Sequence, residues 1–328
     1  MKAVVYDAYG GPEVLQLADV ETPAPGPNEL LVKVHAAAVN PADWHLVRGV
    51  PFPIRMVTGG FWTPTRHRRV SGDFSGTIAG VGTGVTGFTV NDPVFGYSES
   101  GGALAEYLTV PADKVAAKPE RLTFEQAASV PLAGLTALQI LRKAQVQPGH
   151  HVLIVGAAGG IGSLAVQIAK ALGAHVTGVQ STSVCELVRS LGADRVIDYT
   201  KDDFTTGNTR YDLVFDNVCD RSLAGVRQVL KPGGTFVPNG GGSPEKGISM
   251  LGLMRVLATR PFISQKIVFG VTKPNRADLQ TLAGMIEAGT LRPVIDKVYP
   301  LADAAEAMRH LEAGHAHGKI VVTIPRQA

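Results

Sequence analysis

The chain has 328 residues, a length that suits two domains, each able to bury a substantial core. Hydrophobic residues make up 45% of the sequence and charged residues 18%, with 38 glycines and 21 prolines, which excludes a disordered or fibrous protein. The formal net charge is only +3 and the basic residues are scattered, so the composition gives no support to nucleic-acid binding.

Cysteine content and the first residues indicate where the protein resides. Cys185 and Cys219 are far apart and form no Cys-x-x-Cys motif, so they cannot build a disulfide framework or a cysteine-rich zinc site. Residues 1–7 contain an acid and a tyrosine before the apolar core of a signal peptide can form. Residues 152–169 lack charge over the length of a membrane span, but glycines and polar residues interrupt them, which predicts a buried strand, turn and helix. We therefore expect a cytoplasmic protein without membrane insertion.

The N-terminal third has the pattern of a β domain. Glycine and proline punctuate short β-type runs, which lie at 3–6, 29–34, 76–81 and 93–97. This spacing predicts a mostly β domain with a partly open barrel.

The pattern changes at Thr123, where a capping-box-like start precedes apolar residues spaced nearly four apart. Strand runs at 151–155, 174–179, 194–197, 211–215 and 234–238 alternate with helical patterns at 161–172, 184–191 and 222–230. This alternation predicts βαβ units and an α/β, doubly wound parallel sheet of the Rossmann type. After residue 278 the pattern predicts a helix to 288, a strand at 294–299, a helix at 302–312 and a last strand at 319–324, which can join either domain.

A glycine-rich turn follows the strand predicted at 151–155 and opens the helix predicted at 161–172. At such a turn the backbone can approach a pyrophosphate, and the amides and dipole of the helix N-terminus attract its charge. The sequence therefore predicts a dinucleotide site here, in preference to a turn that only packs a helix on a sheet. Its residues are Gly156, Ala158, Gly159, Gly160, Ile161 and Gly162.

The end of the second strand of this sheet bears on the choice of cofactor. Ser181, Thr182 and Ser183 stand where an NAD site would usually place an acid for the ribose hydroxyls. An uncharged turn leaves room for a 2′-phosphate and offers hydroxyl donors, which favours NADPH over NADH. The alternative is a solvated loop that caps the next helix.

Four segments resemble the zinc-independent, quinone oxidoreductase-like members of the medium-chain dehydrogenase/reductase superfamily: 37–43, 102–107, 131–137 and 156–162. The likeness runs nearly end to end, and residues 273–275 and 314–319 are similar to the branch that contains reticulon-4-interacting-protein-like reductases. It implies a GroES-like catalytic domain formed by 1–122 and 290–328, a Rossmann domain at 123–289, and an active site in the cleft between them. It also implies a homodimer, joined near 266–271 where an apolar strand would otherwise be exposed.

The same resemblance bears on zinc. In zinc-dependent alcohol dehydrogenases of the superfamily a cysteine stands at the place of Asn40, and a Gly-His-Glu motif stands where this chain has Ser-Gly-Asp-Phe-Ser-Gly at 71–76. A catalytic zinc needs three protein ligands, so we predict no metal. His315 and His317 lack a third ligand nearby, and we expect them to be surface residues or residues that only contact a site from behind its lining. Without a metal, quinones and enones accept hydride more easily than simple ketones.

The resemblance places residues 40–49 beside the nicotinamide and the substrate. Asn40 is a candidate hydrogen-bond donor, and His45 is either a proton donor or a hydrogen-bonded wall residue. Asp43 is expected to accept backbone hydrogen bonds and Trp44 to pack. Residues 51–70 form either a substrate-side lid or a plain surface loop. The further cofactor-binding residues implied are Thr136, Tyr199, Asn217, Val218, Gly240, Gly241, Phe269, Val271 and Lys319, the last with an exposed strand lysine as its alternative.

These observations favour an NADPH-dependent, zinc-independent oxidoreductase that reduces quinones or α,β-unsaturated carbonyl compounds. A metal-free, NADP-dependent alcohol dehydrogenase or ketone reductase is a second interpretation, less favoured on acid–base grounds. A third is an NADPH-binding regulatory protein with little turnover, because a fold does not determine a function.

Overall fold

The computed structural model of the chain describes residues 1–56, 59–60, 62–64, 68–240 and 263–325. It divides into two compact units, Met1–Leu135 with Lys273–Ala328, and Thr136–Thr272. The domain boundaries expected from the sequence, at 122 and 290, remain a prediction about where the two domains meet.

Short strands dominate the first third of the chain, and strands alternate with helices in the middle third. The strands are β1 (Lys2–Tyr6), β2 (Gln16–Asp19), β3 (Glu29–Val39), β4 (Arg68–Arg69), β5 (Asp73–Val81), β6 (Pro93–Tyr97), β7 (Tyr107–Pro111), β8 (Val115–Ala117), β9 (His151–Val155), β10 (His175–Gln180), β11 (Arg195–Asp198), β12 (Tyr211–Asp216), β13 (Leu230–Pro238), β14 (Lys266–Ile267), β15 (Ile295–Pro300) and β16 (Lys319–Thr323). The helices are α1 (Pro41–Arg48), α2 (Phe124–Ala128), α3 (Pro131–Lys143), α4 (Gly160–Ala171), α5 (Cys185–Ser190), α6 (Leu223–Val229), α7 (Arg276–Glu287) and α8 (Ala304–Glu312).

The first unit is mostly β, as predicted. Its larger sheet has the order β15-β16-β3-β5-β6-β8, with β7 also paired to β3, and a small sheet has the order β2-β1-β4. Along β3 buried and half-buried residues alternate from Glu29 to His35, because one face packs on the core. The last strand, which the sequence left open, joins this unit: β16 pairs antiparallel with β3, with Ile320 opposite Val39.

The second unit is the predicted doubly wound sheet. Its strands are parallel and have the order β11-β10-β9-β12-β13-β14, the 3-2-1-4-5-6 order of a Rossmann fold when they are counted from β9. Val152, Leu153, Ile154 and Val155 are all buried, because helices cover both faces of a parallel sheet. The order reverses between β9 and β12, and ligands of such sheets bind at the carboxyl ends of the strands that flank this point.

The uncharged stretch 152–169 is β9, a turn and α4, which confirms the buried strand, turn and helix predicted for it. Among the residues that the structure describes, no helix is both long enough and apolar enough to cross a membrane.

Candidate active site

The loop between β9 and α4 has few side chains, so that a ligand can come close to its backbone. Gly156 has φ of +72°, in the left-handed region that favours glycine. A Cβ atom at Gly162 would lie 2.0 Å from the Gly156 carbonyl oxygen, so no side chain fits there. Gly159 precedes α4 and has no side chain with which to cap the helix amides. The loop, called the cradle from here on, thus has the geometry that an anion such as a pyrophosphate requires, and its binding of one stays a prediction.

The other residues predicted for this loop lie in the turn and at the start of α4, and their contact with a phosphate stays a prediction. Ala158 is fully buried in the turn, and Gly160 and Ile161 form the first turn of α4. A Cβ atom at Gly178 on β10 would lie 2.5 Å from Cγ1 of Val188, so the absence of a side chain allows α5 to pack closely on the strand.

Residues after β12 and β13 meet the same loop. The Asn217 side-chain amide donates to the Val155 carbonyl oxygen at 3.0 Å, and Asn239 donates to Oδ1 of Asn217 at 2.9 Å. A Cβ atom at Gly240 would lie 2.5 Å from the Val218 carbonyl oxygen. The fold thus brings three predicted cofactor residues, Asn217, Val218 and Gly240, together at the point where the strand order reverses.

Asp216 shapes the turn after β12, a role that was not predicted from the sequence. Its Oδ1 accepts the amides of Val218 at 2.9 Å and Cys219 at 2.8 Å, and its side chain is fully buried. Burial raises the pKa of this carboxyl. The signal in the sequence was an acid at the end of an apolar strand, directly before the turn whose amides it binds.

An acid also reaches the turn at 181–183, from the neighbouring strand. The Thr182 hydroxyl donates to Oδ2 of Asp198, and the Thr200 hydroxyl donates to Oδ1 at 2.7 Å. These hydrogen bonds, that of Thr182 first, lower the pKa of Asp198 to about 2. Lys201 lies 3.5 Å from the same carboxylate. The sequence predicts no acid at this turn, because residues 181–183 contain none. The parallel register of β10 and β11 sets Asp198 opposite Gln180 and so brings an acid beside the turn.

The remaining predicted cofactor residues are spread over the second unit. The hydroxyl oxygens of Thr136 and Thr272 lie 2.7 Å apart, and the Phe269 carbonyl oxygen accepts from Lys143 at 3.0 Å. Tyr199 is 50% exposed and Val271 is 75% exposed. Gly241 lies outside the described residues. Their contacts to a cofactor stay predictions.

In the first unit, Asn40 belongs to a buried polar cluster. Its side-chain amide donates to Oδ2 of Asp73 at 2.9 Å and its Oδ1 accepts from Lys319. The Lys319 ammonium also donates to Oδ2 of Asp73 at 3.0 Å and to the Val39 carbonyl oxygen at 3.2 Å. Oδ1 of Asp73 accepts the Leu132 amide at 2.7 Å. Each polar group of this cluster thus finds its partner inside the unit.

The two interpretations of Lys319 have different outcomes. An exposed strand lysine is wrong, because Lys319 is 5% exposed. Contact with a cofactor phosphate stays a prediction. The ammonium has three hydrogens, which already meet Asp73, Asn40 and Val39, so a phosphate contact requires one of these bonds to open.

Asp43 accepts backbone hydrogen bonds, as predicted. The Asn40 amide donates to its Oδ2 at 2.7 Å, which fixes the first turn of α1. Burial raises the pKa of Asp43 to about 7 against the effect of this bond; the charge of Asp73 raises the pKa further, and Lys319 and a hydrogen bond from the Ser71 amide oppose it. With its pKa raised to about 7, the Asp43 carboxyl keeps its proton up to near-neutral pH.

His45 is held in one tautomer on α1. Its Nδ1 lies 2.7 Å from the Val50 carbonyl oxygen, and because a carbonyl only accepts, Nδ1 carries the hydrogen of the neutral ring. The ring stacks on Trp44 with 3.7 Å between centroids, and Trp44 is buried, as predicted. Nε2 is buried and has no hydrogen-bond partner among the described residues. Buried side-chain nitrogens usually have a hydrogen-bond partner, and at Nε2 a water or a polar group of a ligand can supply it.

The residues of the first unit do not fit a zinc ion. The structure sets Asn40 and Asp73 side by side, in the two segments where the resemblance implies that zinc ligands are replaced, and the Lys319 ammonium bridges them. Within the parts of the chain that the structure describes, no three His, Cys, Asp or Glu side chains form a group suited to a metal. A cation 3.0 Å from the Asp73 carboxylate competes with any metal there.

The segment after α1 contacts residues near the N-terminus through Arg55. The Arg55 guanidinium lies over the rings of Tyr9 and Phe52, at 4.6 and 5.2 Å from their centroids, and its Nε donates to the Gly49 carbonyl oxygen at 3.1 Å. Trp62 is 85% exposed. Residues 57, 58, 61 and 65–67 lie outside the described residues, so the choice between a substrate lid and a surface loop stays open.

Comparisons with known proteins cover nearly the whole chain. Residues 26–120 match the family model described as alcohol dehydrogenase GroES-like domain, and residues 191–322 match the one described as zinc-binding dehydrogenase. The chain is 34% identical to the chloroplastic NADPH-dependent alkenal/one oxidoreductase of Arabidopsis thaliana, over 98% of this chain and 79% of the relative. It is 33% identical to the mitochondrial NAD(P)H oxidoreductase RTN4IP1 of Mus musculus, over 99% and 89%. The structure of the quinone oxidoreductase from Coxiella burnetii superposes with a TM-score of 0.88 at 32% identity, over 99% of both chains.

Proposed function

The chain belongs to the quinone oxidoreductase-like members of the medium-chain dehydrogenase/reductase superfamily, and we propose that it is an NADPH-dependent, zinc-independent oxidoreductase that reduces quinones or α,β-unsaturated carbonyl compounds. The observation that carries the proposal is the cradle at Gly156 and Gly162, at the edge of a parallel sheet where dinucleotides bind. The names of two relatives, an alkenal/one oxidoreductase and a quinone oxidoreductase, support the substrate classes.

The residues of the second unit fit the cofactor. The cradle and the N-terminus of α4 would hold the pyrophosphate, and NADPH would supply the hydride. Residues after β12 and β13 would hold the nicotinamide half, together with Thr136 and the segment that follows β14. The implied set is Thr136, Asn217, Val218, Gly240, Gly241, Phe269 and Val271.

A preference for NADPH rests on the turn after β10. Ser181 and Ser183 offer hydroxyl donors, whereas the Thr182 hydroxyl already donates to Asp198. Tyr199 and Lys201 follow the neighbouring strand, and Lys201 lies 3.5 Å from the Asp198 carboxylate. The ionised Asp198 carboxylate opposes a 2′-phosphate, but two hydroxyls and one ammonium neutralise part of its field. We propose that the balance favours the phosphorylated cofactor.

The chemistry of the first unit suits a conjugated acceptor. Hydride addition to a quinone or enone leaves charge on the carbonyl oxygen, which a hydrogen-bond donor stabilises. We place that oxygen at Nε2 of His45, which donates a proton only when the ring is protonated, since Nδ1 is bound to Val50. The amide hydrogens of Asn40 are engaged by Asp73 and Ala38, so we assign Asn40 to shaping this segment.

The proposal excludes zinc from the reaction because an ammonium, and not a set of three ligands, lies between Asn40 and Asp73. Steady-state oxidation of NADPH and NADH with quinones and enones, before and after chelation, tests it. Turnover that survives chelation and prefers NADPH is expected. Alcohol oxidation by NADP⁺ in place of quinone and enone reduction would favour the alcohol dehydrogenase that the family models describe.

The remaining proposals concern assembly and location. We propose a homodimer joined through β14, which is the terminal strand of the six-stranded sheet among the described residues. A monomer in size-exclusion chromatography at assay concentration would contradict it.

We also propose that the GroES-like domain comprises 1–122 and 290–328 and the Rossmann domain 123–289, and that the protein acts in the cytoplasm.

A further inference from the structure

Helix α1 is held at its N-terminus by a residue from the C-terminal strand. Lys319 begins β16 and donates to the carbonyl oxygen of Val39 and to the side chain of Asn40, the residue that precedes the helix. Asp73 on β5 accepts from both Lys319 and Asn40. Lys319 and Asp73 are buried, so water does not compete for these hydrogen bonds. The bonds therefore hold the first residues of α1 in a fixed position against the sheet.

The other end of α1 is held by the helix that precedes β16. Nε of Arg48 donates to Oε1 of Glu312 at 2.6 Å, and its Nη2 donates to Oε2 at 2.8 Å. This is a two-point contact between a planar guanidinium and a carboxylate, which fixes direction as well as distance. The Glu312 side chain is 10% exposed, so the pair is shielded far more than an ordinary surface ion pair.

His45 lies between these two attachment points. Trp44 and Val47 of α1 pack in the same buried core as Ala307 and Met308 of α8, so the apolar side of α1 is also fixed by the C-terminal segment. The His45 ring stacks on Trp44, and its Nδ1 is bound to Val50 beyond the helix end. The direction of Nε2 therefore depends on how α1 is set between its two ends.

We propose that Glu312 and Lys319 are positioning residues: with Arg48, Asn40 and Asp73 they form a C-terminal clamp that aims Nε2 of His45 at the substrate oxygen. The inference rests on the proposed function for the identity of that substrate. In this proposal α8 and β16 contribute to the reaction in addition to completing the fold of the first unit. A displacement of about 1 Å at a reacting group can reduce a rate on the order of a hundredfold, so a clamp remote from the substrate has a measurable effect.

The test uses Glu312→Gln, which keeps the size of the side chain and removes its charge. Its control is Glu306→Gln on the same helix, where the ion pair with Arg309 is exposed and does not involve α1. We expect Glu312→Gln to lower kcat/KM for an enone on the order of tenfold and the control to change it less than about twofold. In a His45→Phe background, Glu312→Gln should change kcat/KM by less than about twofold, because the group that it positions is gone. Equal effects in both backgrounds would show a merely structural role and overturn the inference.

A second measurement does not depend on turnover. Nitrogen NMR of ¹⁵N-labelled histidine, assigned with His45→Phe, reports which ring nitrogen of His45 carries the hydrogen. At a pH where the His45 ring is neutral, wild-type protein and Glu306→Gln should show the Nδ1–H tautomer alone, and Glu312→Gln should show a mixture. An unchanged His45 spectrum in Glu312→Gln contradicts the clamp even if the enzyme is active. Absence of turnover with altered His45 signals would contradict the proposed function while the clamp stands.

Discussion

The Lys319 ammonium lies 3.0 Å from the Asp73 carboxylate, joining two residues that are 246 positions apart in the chain. Asp73 is fully buried and Lys319 is 5% exposed, so each charge depends on the other. Breaking one member of a buried pair leaves an uncompensated charge.

We therefore predict that Lys319→Met lowers the free energy of unfolding by about 3–5 kcal/mol. The double variant Lys319→Met with Asp73→Asn removes both charges and should recover most of this loss. Urea unfolding followed by circular dichroism measures both values. A double variant as unstable as Lys319→Met alone would show that the stability does not depend on the pairing of charge.

The carboxyl of Asp43 predicts a pH dependence of stability. Its pKa is about 7 in the folded protein and lies near 4 in an unfolded chain, so between about pH 4 and pH 7 the folded state binds the extra proton. Stability should fall as pH rises through this window and stay level above it, as far as Asp43 contributes. The difference between wild type and Asp43→Asn isolates this contribution from that of other carboxyls. Equal slopes of unfolding free energy against pH in the two proteins would contradict a raised pKa.

The close packing of the cradle predicts that adding one methyl group at Gly162 weakens NADPH binding. Gly162→Ala places a Cβ atom 2.0 Å from the Gly156 carbonyl oxygen, so the loop must shift away from its anion-binding form. We expect the Kd for NADPH, measured by titration calorimetry, to rise by at least about tenfold. Gly284→Ala is the matched control, because no atom lies within 4 Å of its added Cβ and the residue is in the middle of α7. It should bind NADPH normally and be more stable by about 0.5–1 kcal/mol.

Asp198 predicts a change in cofactor selectivity. Its low pKa keeps it ionised at any ordinary assay pH, so Asp198→Asn removes a negative charge beside the turn at Thr182. The KM for NADPH should fall by about two- to fivefold and that for NADH much less, with a smaller effect at high salt. Lys201→Met should raise the KM for NADPH instead. If each variant changes the KM for NADPH and the KM for NADH by the same factor, the 2′-phosphate does not bind at this turn.

The parallel sheet could be predicted because its signals are local. An apolar strand of four or five residues followed by an amphipathic helix repeats along 151–238, and the predicted strand at 151–155 agrees with β9 to the residue. The glycine loop was also visible, since Gly156 needs its positive φ and Gly162 leaves no room for a side chain beside the Gly156 carbonyl oxygen.

The missed features depend on contacts between distant segments. The proximity of Asp198 to Thr182 follows from the register of β10 and β11, which composition and spacing do not specify. The burial of Lys319 depends on Asp73 and Asn40 in other strands, while locally it resembles any lysine at the start of a strand. Local patterns therefore predict elements and loops, and the pairing of buried charges requires the fold.

Metal-free reduction by NADPH is most directly tested by measuring NADPH and NADH oxidation with a quinone and an enone in protein dialysed against EDTA. We predict turnover that is resistant to chelation, faster with NADPH than with NADH, and lowered by His45→Phe. NADPH binding without turnover of any acceptor would contradict it and favour a regulatory protein, whereas activity that disappears with EDTA and returns with zinc would contradict the metal-free site.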